Sequence, residues 1–318
     1  MLFYTVFLPK ITFTGIKMTL FAFFLIIFSA AMHASWNLVA KRSAMTVAFY
    51  TIICMTAAIL WLHVQFWTPL DLWNLPCNFY IMMAASVFSD TFLYCFGLMR
   101  AYRTMEMSTA YPMMRSLPLL LTAALTAVLG WGKPLTWLAI AGMVVVFAGC
   151  ITIPQKDFKS FKLANYFDSK MFFILLVACG TTGYTVFDSQ AMAVLRGVYP
   201  DIAKVHISLG YYSLRAITLT STLLLTVFII PSERRNFIKI FRSCDKMPFL
   251  AGGFASLTYA TVLLAMNYVD NVSYVQVFRQ LGLIFALAGG IFFLKEKCTA
   301  PKLAGTLMIV AGLIMTVL

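Results

Sequence analysis

The chain has 318 residues, of which 62% are hydrophobic and 11% are charged, and its formal net charge is +13. A soluble domain has about 25% charged residues and cannot bury many apolar runs of about 18–25 residues, so the composition excludes an ordinary soluble protein. The positive charge does not indicate nucleic-acid binding, because the basic residues lie in loops between apolar runs and so form a membrane-orientation signal.

The apolar runs predict ten transmembrane helices. Those of the first half cover Met18–Ala40, Ala44–Phe66, Phe79–Leu98, Met107–Leu129 and Leu135–Ile153. Those of the second half cover Phe172–Leu195, Ile207–Ile230, Pro248–Met266, Val272–Leu294 and Leu303–Leu318. The widest central polar gap, Gln155–Lys170, divides the chain into a first five-helix repeat (18–153), a linker (154–171) and a second five-helix repeat (172–318).

Residues 1–17 contain an apolar stretch that is too short to cross a bilayer. We interpret them as a non-native or disordered N-terminal extension. A natural start at Met18 and a start at Met1 both stay open.

Two segments of the halves align without gaps, and each carries an arginine inside an apolar run. AYRTMEMSTAYPMMRSLPLL begins at Ala101 and AMNYVDNVSYVQVFRQLGLI begins at Ala265, so Arg115 falls on Arg279. Because each repeat has an odd number of spans, the second copy enters the bilayer from the opposite face. The sequence therefore predicts an all-α membrane protein with two inverted five-helix repeats, as many transporters have.

Lysine and arginine are distributed unequally between the two sets of loops, and this sets the predicted orientation. The richer set consists of Lys41, Arg42, Arg100, Arg103, Lys156, Lys159, Lys162, Lys170, Arg234, Arg235, Lys239, Arg242, Lys246, Lys295, Lys297 and Lys302. The poorer set holds Lys133, Arg196 and Lys204, and also Lys10 and Lys17 if the chain starts at Met1. The positive-inside rule places the richer loops in the cytoplasm. We expect a multi-pass protein of the cytoplasmic (inner) membrane with both termini outward.

Arg115 and Arg279 are the first candidates for substrate binding. An arginine inside a membrane span costs about 2.5–3.5 kcal/mol on insertion scales, so such residues usually have a function. Pro112 and Pro118 flank Arg115 and predict a broken helix there, which together with a buried cation suits an anion site. The alternative is that each arginine pairs with a carboxylate or with carbonyls and only holds the helices together.

Asp90 and Asp188 are the acids predicted inside spans. Burial disfavours an ionised carboxylate, so either acid suits proton coupling. The alternative is a structural ion pair with an arginine. Arg215 is equally compatible with reaching the membrane surface and with reaching a central cavity.

Further polar and aromatic residues share helical faces with these groups. His33, Trp36 and Asn37 lie on one face of the first span, and the equivalent span carries Thr181, Tyr184 and Thr185. They either line a polar cavity, which we favour, or form hydrogen bonds between helices. Tyr111 joins Trp36, Asn37 and Tyr184 as a substrate-binding candidate. Glu106 and Asp270 fall at span ends and are expected to be solvated.

Signatures of other chemistry are absent from the sequence. The seven cysteines form no CxxC pair, which argues against a thiolate metal site. HExxH, GxSxG and GxxxxGK[ST] motifs are also missing. We expect no enzyme, cofactor or metal.

One alternative is a membrane-embedded enzyme acting on a lipid or lipid-linked group, with His33 beside an acid. Another is a sensor or assembly partner, which leaves the buried arginines unexplained.

Four segments resemble the EamA family of the drug/metabolite transporter superfamily. They are HASWNLVAKRS in the first span, AYPMMRS in the fourth, GYTVFDSQ in the sixth and VQVFRQLGLIFALAGGIFFLKEK in the ninth. The resemblance covers Met18–Leu318 and implies a ten-helix basket around a central cavity. The acid that ends the family's ninth span falls on Glu296, whereas its first-half counterpart, Gly132, has none. Family members usually have cytoplasmic termini, unlike the orientation that the charges predict here.

The resemblance and the buried arginines together predict a secondary active transporter. It would move a small polar, anionic or zwitterionic metabolite by alternating access, with protons as a candidate coupling ion. The partners are then the substrate and the lipid bilayer, without nucleic acid, and a homodimer stays open.

Overall fold

The computed structural model describes residues 19–40, 46–104, 107–153, 155, 157–158, 171–285, 288 and 298–317. The side chains of residues 37–40, 107–112 and 317 are not among those described. The suggested N-terminal extension, most of the linker, Glu106 and Glu296 therefore lie outside the described residues.

The described part of the chain is helical, with turns and short connections between helices. The first half contains α1 (Leu20–Ala40), α2 (Val47–Trp61), α3 (Val64–Trp67), α4 (Cys77–Phe88), α5 (Phe96–Thr104), α6 (Met107–Leu129) and α7 (Trp137–Thr152). The second half contains α8 (Met171–Val198), α9 (Lys204–Ile229), α10 (Pro231–Arg242), α11 (Met247–Met266), α12 (Val272–Phe278) and α13 (Ala300–Val317). A π-helical segment, Ser89–Cys95, joins α4 to α5.

Five helical stretches are long and apolar enough to cross a membrane by length and composition: Val47–Trp67, Cys77–Thr104, Met171–Val198, Lys204–Ile229 and Met247–Met266. Shorter apolar helices cover Leu20–Trp36, Met113–Leu129, Trp137–Thr152 and Ala300–Thr316. This pattern is that of a multi-pass membrane protein.

Side-chain caps fix where several of these helices begin. The hydroxyl of Thr46 accepts a hydrogen bond from the backbone N–H of Phe49, and the hydroxyl of Thr136 accepts one from Ala139. Asn271 caps α12 by accepting from the N–H of Ser273. Each cap satisfies a donor that the first turn of a helix leaves free, which matters most where water is scarce.

The segment between Pro231 and Lys246 was expected to be a loop, and it contains helix α10 instead. Phe237 and Ile240 pack against apolar neighbours, while the basic residues of the helix stay exposed. Its Glu233 is buried and accepts a hydrogen bond from the N–H of Ala48 at the start of α2. The helix is too short and too polar to register as a span, so a search for apolar runs misses it.

The predicted helix break at Arg115 is wrong, and a break occurs at the equivalent arginine. Helix α6 runs without interruption through Arg115. A proline removes only one donor from the helical ladder, and membrane helices tolerate it. By contrast, α12 ends at Phe278, Arg279 and Gln280 form a turn, and residues 281–285 are helical again.

Helices of the two halves pack against each other in pairs. Helix α1 packs on α11, α4 on α8, α2 on α9 and α6 on α12. Helices α7 and α13 approach closely, because glycines face each other at two levels. A Cβ on Gly142 would lie 2.6 Å from the carbonyl oxygen of Gly312, and one on Gly149 would lie 2.7 Å from that of Gly305. Contact this close needs residues without side chains.

Candidate functional site

A central cavity of about 100 Å³ lies between α1, α2, the π-helical segment, α8, α9, α11 and the turn after α12. Its polar and aromatic lining consists of His33, Trp36, Tyr50, Asp90, Tyr94, Tyr184, Tyr212, Arg215, Ser256, Thr258, Tyr259 and Arg279. A second cavity of about 30 Å³ shares part of this wall and adds Arg115, Thr181 and Gln276. The two arginines that the sequence alignment pairs therefore line adjoining cavities: Arg279 lines the larger one and Arg115 the smaller one.

Arg215 lies at the centre of a buried ion cluster with both predicted acids. Its Nη2 atom lies 2.9 Å from Oδ2 of Asp90, and its Nε atom lies 2.9 Å from Oδ2 of Asp188. Nε also lies 3.0 Å from the hydroxyl of Ser86. The side chain of Arg215 is 3% exposed. It therefore does not reach the membrane surface, and the acids form an ion pair with this arginine rather than with Arg115 or Arg279.

Tyrosine hydroxyls complete the cluster. Tyr50 donates to Oδ1 of Asp90 over 2.7 Å. Tyr211 and Tyr259 donate to the two oxygens of Asp188. Asp188 thus receives bonds from three side chains and is absent from the cavity wall, whereas Asp90 receives bonds from two and lines the cavity. One cation faces two acids, so the cluster holds one carboxylate in excess.

Asp90 is the second residue of the π-helical segment, whose position depends on glycines of α8. A Cβ on Gly180 would lie 2.4 Å from the backbone nitrogen of Tyr94, and one on Gly183 would lie 2.4 Å from the hydroxyl oxygen of Ser89. Only glycine permits this approach of the two backbones. Single-turn π segments inside helices occur frequently at functional sites. This one places the carboxylate of Asp90 within ion-pairing distance of Arg215.

Arg115 is held by the other half of the molecule. Its Nη2 atom donates to the carbonyl oxygen of Arg279 over 2.7 Å, and its Nη1 atom lies 3.0 Å from Nε2 of His33. Gln280 in turn donates to the carbonyl oxygen of Arg115 over 2.9 Å. Nδ1 of His33 accepts a hydrogen bond from the indole of Trp36. The carbonyl of Arg279 also accepts from the backbone N–H of Gly282 over 3.1 Å, so Arg115 is its second donor.

Arg279 is buried to a similar depth but is engaged differently. The residue is 4% exposed and is one of those that line the larger cavity. Its Nη1 atom has no hydrogen-bond partner, and no described acid lies within ion-pairing distance of it. A buried, unpaired guanidinium presents donors for a carboxylate or another oxyanion.

The remaining predicted residues differ in whether they line a cavity. Trp36 and Tyr184 line both cavities, and the ring of Tyr184 contacts those of Tyr94 and Tyr259 edge-on at 5.7 Å. Thr185 is fully buried outside the cavity walls, where its hydroxyl accepts a hydrogen bond from Gln276 over 2.7 Å. The side chains of Asn37 and Tyr111 lie outside the described residues. Asp270, expected at a span end, pairs with Lys133 at 3.2 Å, and both are partly exposed.

Sequence reasoning missed the tyrosines of the cavity. Tyr50, Tyr94, Tyr212 and Tyr259 lie inside long apolar runs, and none of them is among the predicted site residues. A buried phenol needs a hydrogen-bond partner, so tyrosines deep in predicted spans were an available signal. Which acid each hydroxyl meets depends on contacts between helices far apart in the chain.

No family model and no curated protein matches the sequence. Among solved structures, a crystal structure of a protein aligns with this fold at a TM-score of 0.63 and 12% sequence identity. The alignment covers 92% of this chain and 95% of that chain. At this level of identity the similarity shows that the fold recurs in a solved protein and says nothing about activity.

Proposed function

We propose that the chain is a secondary active transporter, or permease, of the cytoplasmic membrane, of the EamA type. It moves a small polar metabolite with an anionic group through the central cavity by alternating access. The observation that carries this proposal is the guanidinium of Arg279, buried in the cavity wall without an acceptor. An uncompensated cation at this depth is costly unless a ligand uses it.

The proposed architecture is ten spans in two inverted repeats, and contacts between equivalent residues support it. Arg115 meets the carbonyl of Arg279, the residue that the alignment makes its equivalent. Equivalent residues touch only near a two-fold axis. The glycine contacts between α7 and α13 are reciprocal, as such an axis requires. Exchanging the halves also relates the α1–α11 pair to the α8–α4 pair, and both pairs occur.

Alternating access needs one end of the cavity to be closed at a time, and polar contacts tie one end together. Lys204 donates to the carbonyl oxygen of Asn267 over 2.7 Å, and the side chain of Asn267 bonds to Arg196 and Ser208. These contacts join the ends of α8, α9 and α11. Rocking of one repeat against the other would break them to open this end.

The test uses purified protein in proteoliposomes and a panel of amino acids, organic acids and phosphonates. A stabilising solute is found first by thermal shift, because a ligand that binds the folded state raises its apparent stability. We expect Arg279→Ala to lose uptake of that solute while staying folded. Lys133→Ala, which removes an exposed cation, is the matched control and should transport normally. Normal uptake by Arg279→Ala would refute the assignment.

The alternative of a membrane-embedded enzyme gains no support from the described contacts of His33. Its ring nitrogens face Arg115 and Trp36, both of which are hydrogen-bond donors. A neutral imidazole accepts at one nitrogen only, so with Nδ1 accepting from Trp36 the proton is on Nε2 and the ring has no free lone pair with which to act as a general base.

A further inference from the structure

A groove on the outside of the helix bundle runs between α2 and α11. It has a volume of about 500 Å³, and its lining includes Leu60, Trp61, Phe249, Leu250, Gly253 and Leu257. The three leucines are between 41% and 50% exposed. Both helices belong to stretches long and apolar enough to cross a membrane, so hydrocarbon chains cover this groove in a bilayer.

The dimensions of the groove are those of one acyl chain. It follows α11 from Phe249 to Leu257, which is about 12 Å at ~1.5 Å per residue, and one leaflet holds about 15 Å of hydrocarbon. An apolar cavity of about 150 Å³ holds benzene, so about 500 Å³ has room for about 20 carbon atoms. Gly253 keeps the groove open, because a Cβ at this position would meet nothing within 4 Å.

Basic and aromatic residues lie at the end of the groove where α10 joins α11. Lys246 precedes Phe249 by three residues and Gly253 by seven, so it lies on the face of α11 that lines the groove. Phe241 of α10 contacts Phe249 edge-on, with the ring centroids 5.8 Å apart. Arg242 follows Phe241 in the chain, and both Arg242 and Lys246 are exposed. The apolar groove therefore begins beside two cations.

The turn between α10 and α11 has a defined geometry. Cys244 has a φ of +52°, and the N–H of Asp245 donates to the carbonyl oxygen of Ile240 over 3.3 Å. This is the pattern of a left-handed helix C-cap. Asp245 then accepts a hydrogen bond from the N–H of Met247 over 2.9 Å at the start of α11. The two cations thus flank an ordered turn.

The charge of this region favours an anion. The segment from Pro231 to Lys246 contains five basic residues and two acids. Both acids are engaged with backbone N–H groups, Glu233 with that of Ala48 and Asp245 with that of Met247. None of the five basic residues forms an ion pair with another described residue. Basic residues at the membrane surface attract acidic lipid headgroups.

We propose that this groove binds one acidic phospholipid, with an acyl chain between α2 and α11 and the headgroup on Arg242 and Lys246. A zwitterionic phospholipid has the same chains, but its own ammonium group offsets the charge of its phosphate. The site does not depend on the proposed transport function. Ser256 lines both the groove and the central cavity, so only α11 separates the bound chain from that cavity.

Trp61 lines the groove and can report whether a chain occupies it. Its indole nitrogen has no hydrogen-bond partner, so Trp61→Phe removes the reporter without breaking a hydrogen bond. The experiment places the full chain in phosphatidylcholine bilayers and adds phosphatidylglycerol or phosphatidylcholine with brominated chains, which quench tryptophan fluorescence on contact. The quenching that Trp61→Phe loses is the signal of the groove.

We expect brominated phosphatidylglycerol to quench Trp61 at a lower mole fraction than brominated phosphatidylcholine does. Each Lys or Arg near an acidic membrane surface strengthens binding about fivefold, so Arg242→Gln combined with Lys246→Gln should weaken phosphatidylglycerol binding by roughly 25-fold. Arg100→Gln combined with Arg103→Gln is the matched control. It removes two exposed basic residues of the same set of loops and should keep the lipid preference of the wild type.

Gly253→Leu tests where the acyl chain lies. The new side chain projects into the groove and not into the protein, and leucine is a better helix former than glycine. We expect this variant to keep the circular dichroism and thermal unfolding of the wild type. The Trp61 signal should be lost with both brominated lipids, because the groove is filled.

Three results would overturn the inference. Equal quenching of Trp61 by the two lipids is the first, since the headgroup would then have no site. An equal loss of preference in the two double variants is the second, because the attraction would then come from surface charge in general. The third is a Trp61 signal that is absent from the wild type or unchanged in Gly253→Leu. A second copy of the chain, or no acyl chain, would then occupy the groove.

Discussion

Arg115 and Arg279 occupy equivalent places in the two halves but have different environments. Arg115 lies in an unbroken helix and donates to a carbonyl of the opposite half. Arg279 lies in a helix break, supplies that carbonyl and keeps its guanidinium for the cavity. In the proposed two-repeat architecture, one arginine thus contacts the opposite half, and the other is the proposed binding residue. Equivalence in sequence shows which positions are polar, and only the contacts show which of them is a binding site.

The largest effect is expected where an arginine is most fully engaged, which is at Arg215. Asp188→Asn removes one of its two acids and a charged acceptor for Tyr211 and Tyr259. Breaking a buried ion pair by removing one partner costs about 3–5 kcal/mol. We expect a loss of this size in unfolding free energy by chemical denaturation in detergent. Asp201→Asn, an exposed acid, should change little, and a loss under about 1 kcal/mol at Asp188 would contradict the cluster.

Arg115→Met tests whether this residue is structural. It removes the charged donor to the carbonyl of Arg279, which keeps only the backbone N–H of Gly282, and a hydrogen bond from a charged group is worth about 1.5–3 kcal/mol. We expect destabilisation of about 2 kcal/mol in the same denaturation assay. A variant as stable as the wild type would remove the contrast with Arg279.

Arg279→Met is expected to act in the opposite direction. The substitution removes a buried, unpaired charge and keeps the carbonyl that Arg115 needs. Replacing a poorly paired buried charge by an apolar side chain is often stabilising, here by about 1 kcal/mol. Unfolding of the ligand-free protein measures this gain, and ligand binding by the same variant should be lost. Destabilisation of the ligand-free protein would show that Arg279 is structural too.

The smallest effect is expected at the exposed ion pair between Lys133 and Asp270, which lies before α12. Both partners are partly exposed, and such pairs are worth about 0–1 kcal/mol. Lys133→Ala should lower stability by less than about 0.5 kcal/mol and leave the difference between Arg115→Met and Arg279→Met unchanged. If it abolishes that difference, the helix break depends on this loop and not on the bond from Arg115.

The sequence predicted the helices and the buried charges for clear physical reasons. An apolar run long enough to cross a bilayer is stable there as an α-helix, and charged residues inside such a run are rare enough to be recognised in the sequence. The partner of the acids could not be predicted, because Arg115, Arg215 and Arg279 carry the same charge and only the packing of α9 selects Arg215. The break at Arg279 has no proline to indicate it, and the hydrogen bond from Arg115 comes from a residue far away in the chain. Helix α10 was missed because its apolar face is short.

The glycine contacts between α7 and α13 determine which part of the molecule stays still. Helices slide past each other through small adjustments of the side chains between them. Here backbone approaches backbone at two levels, which leaves little room for such adjustment. In the proposed transport cycle, we expect these two helices to stay fixed relative to each other while the segments that carry Asp90, Arg215 and Arg279 change the shape of the cavity.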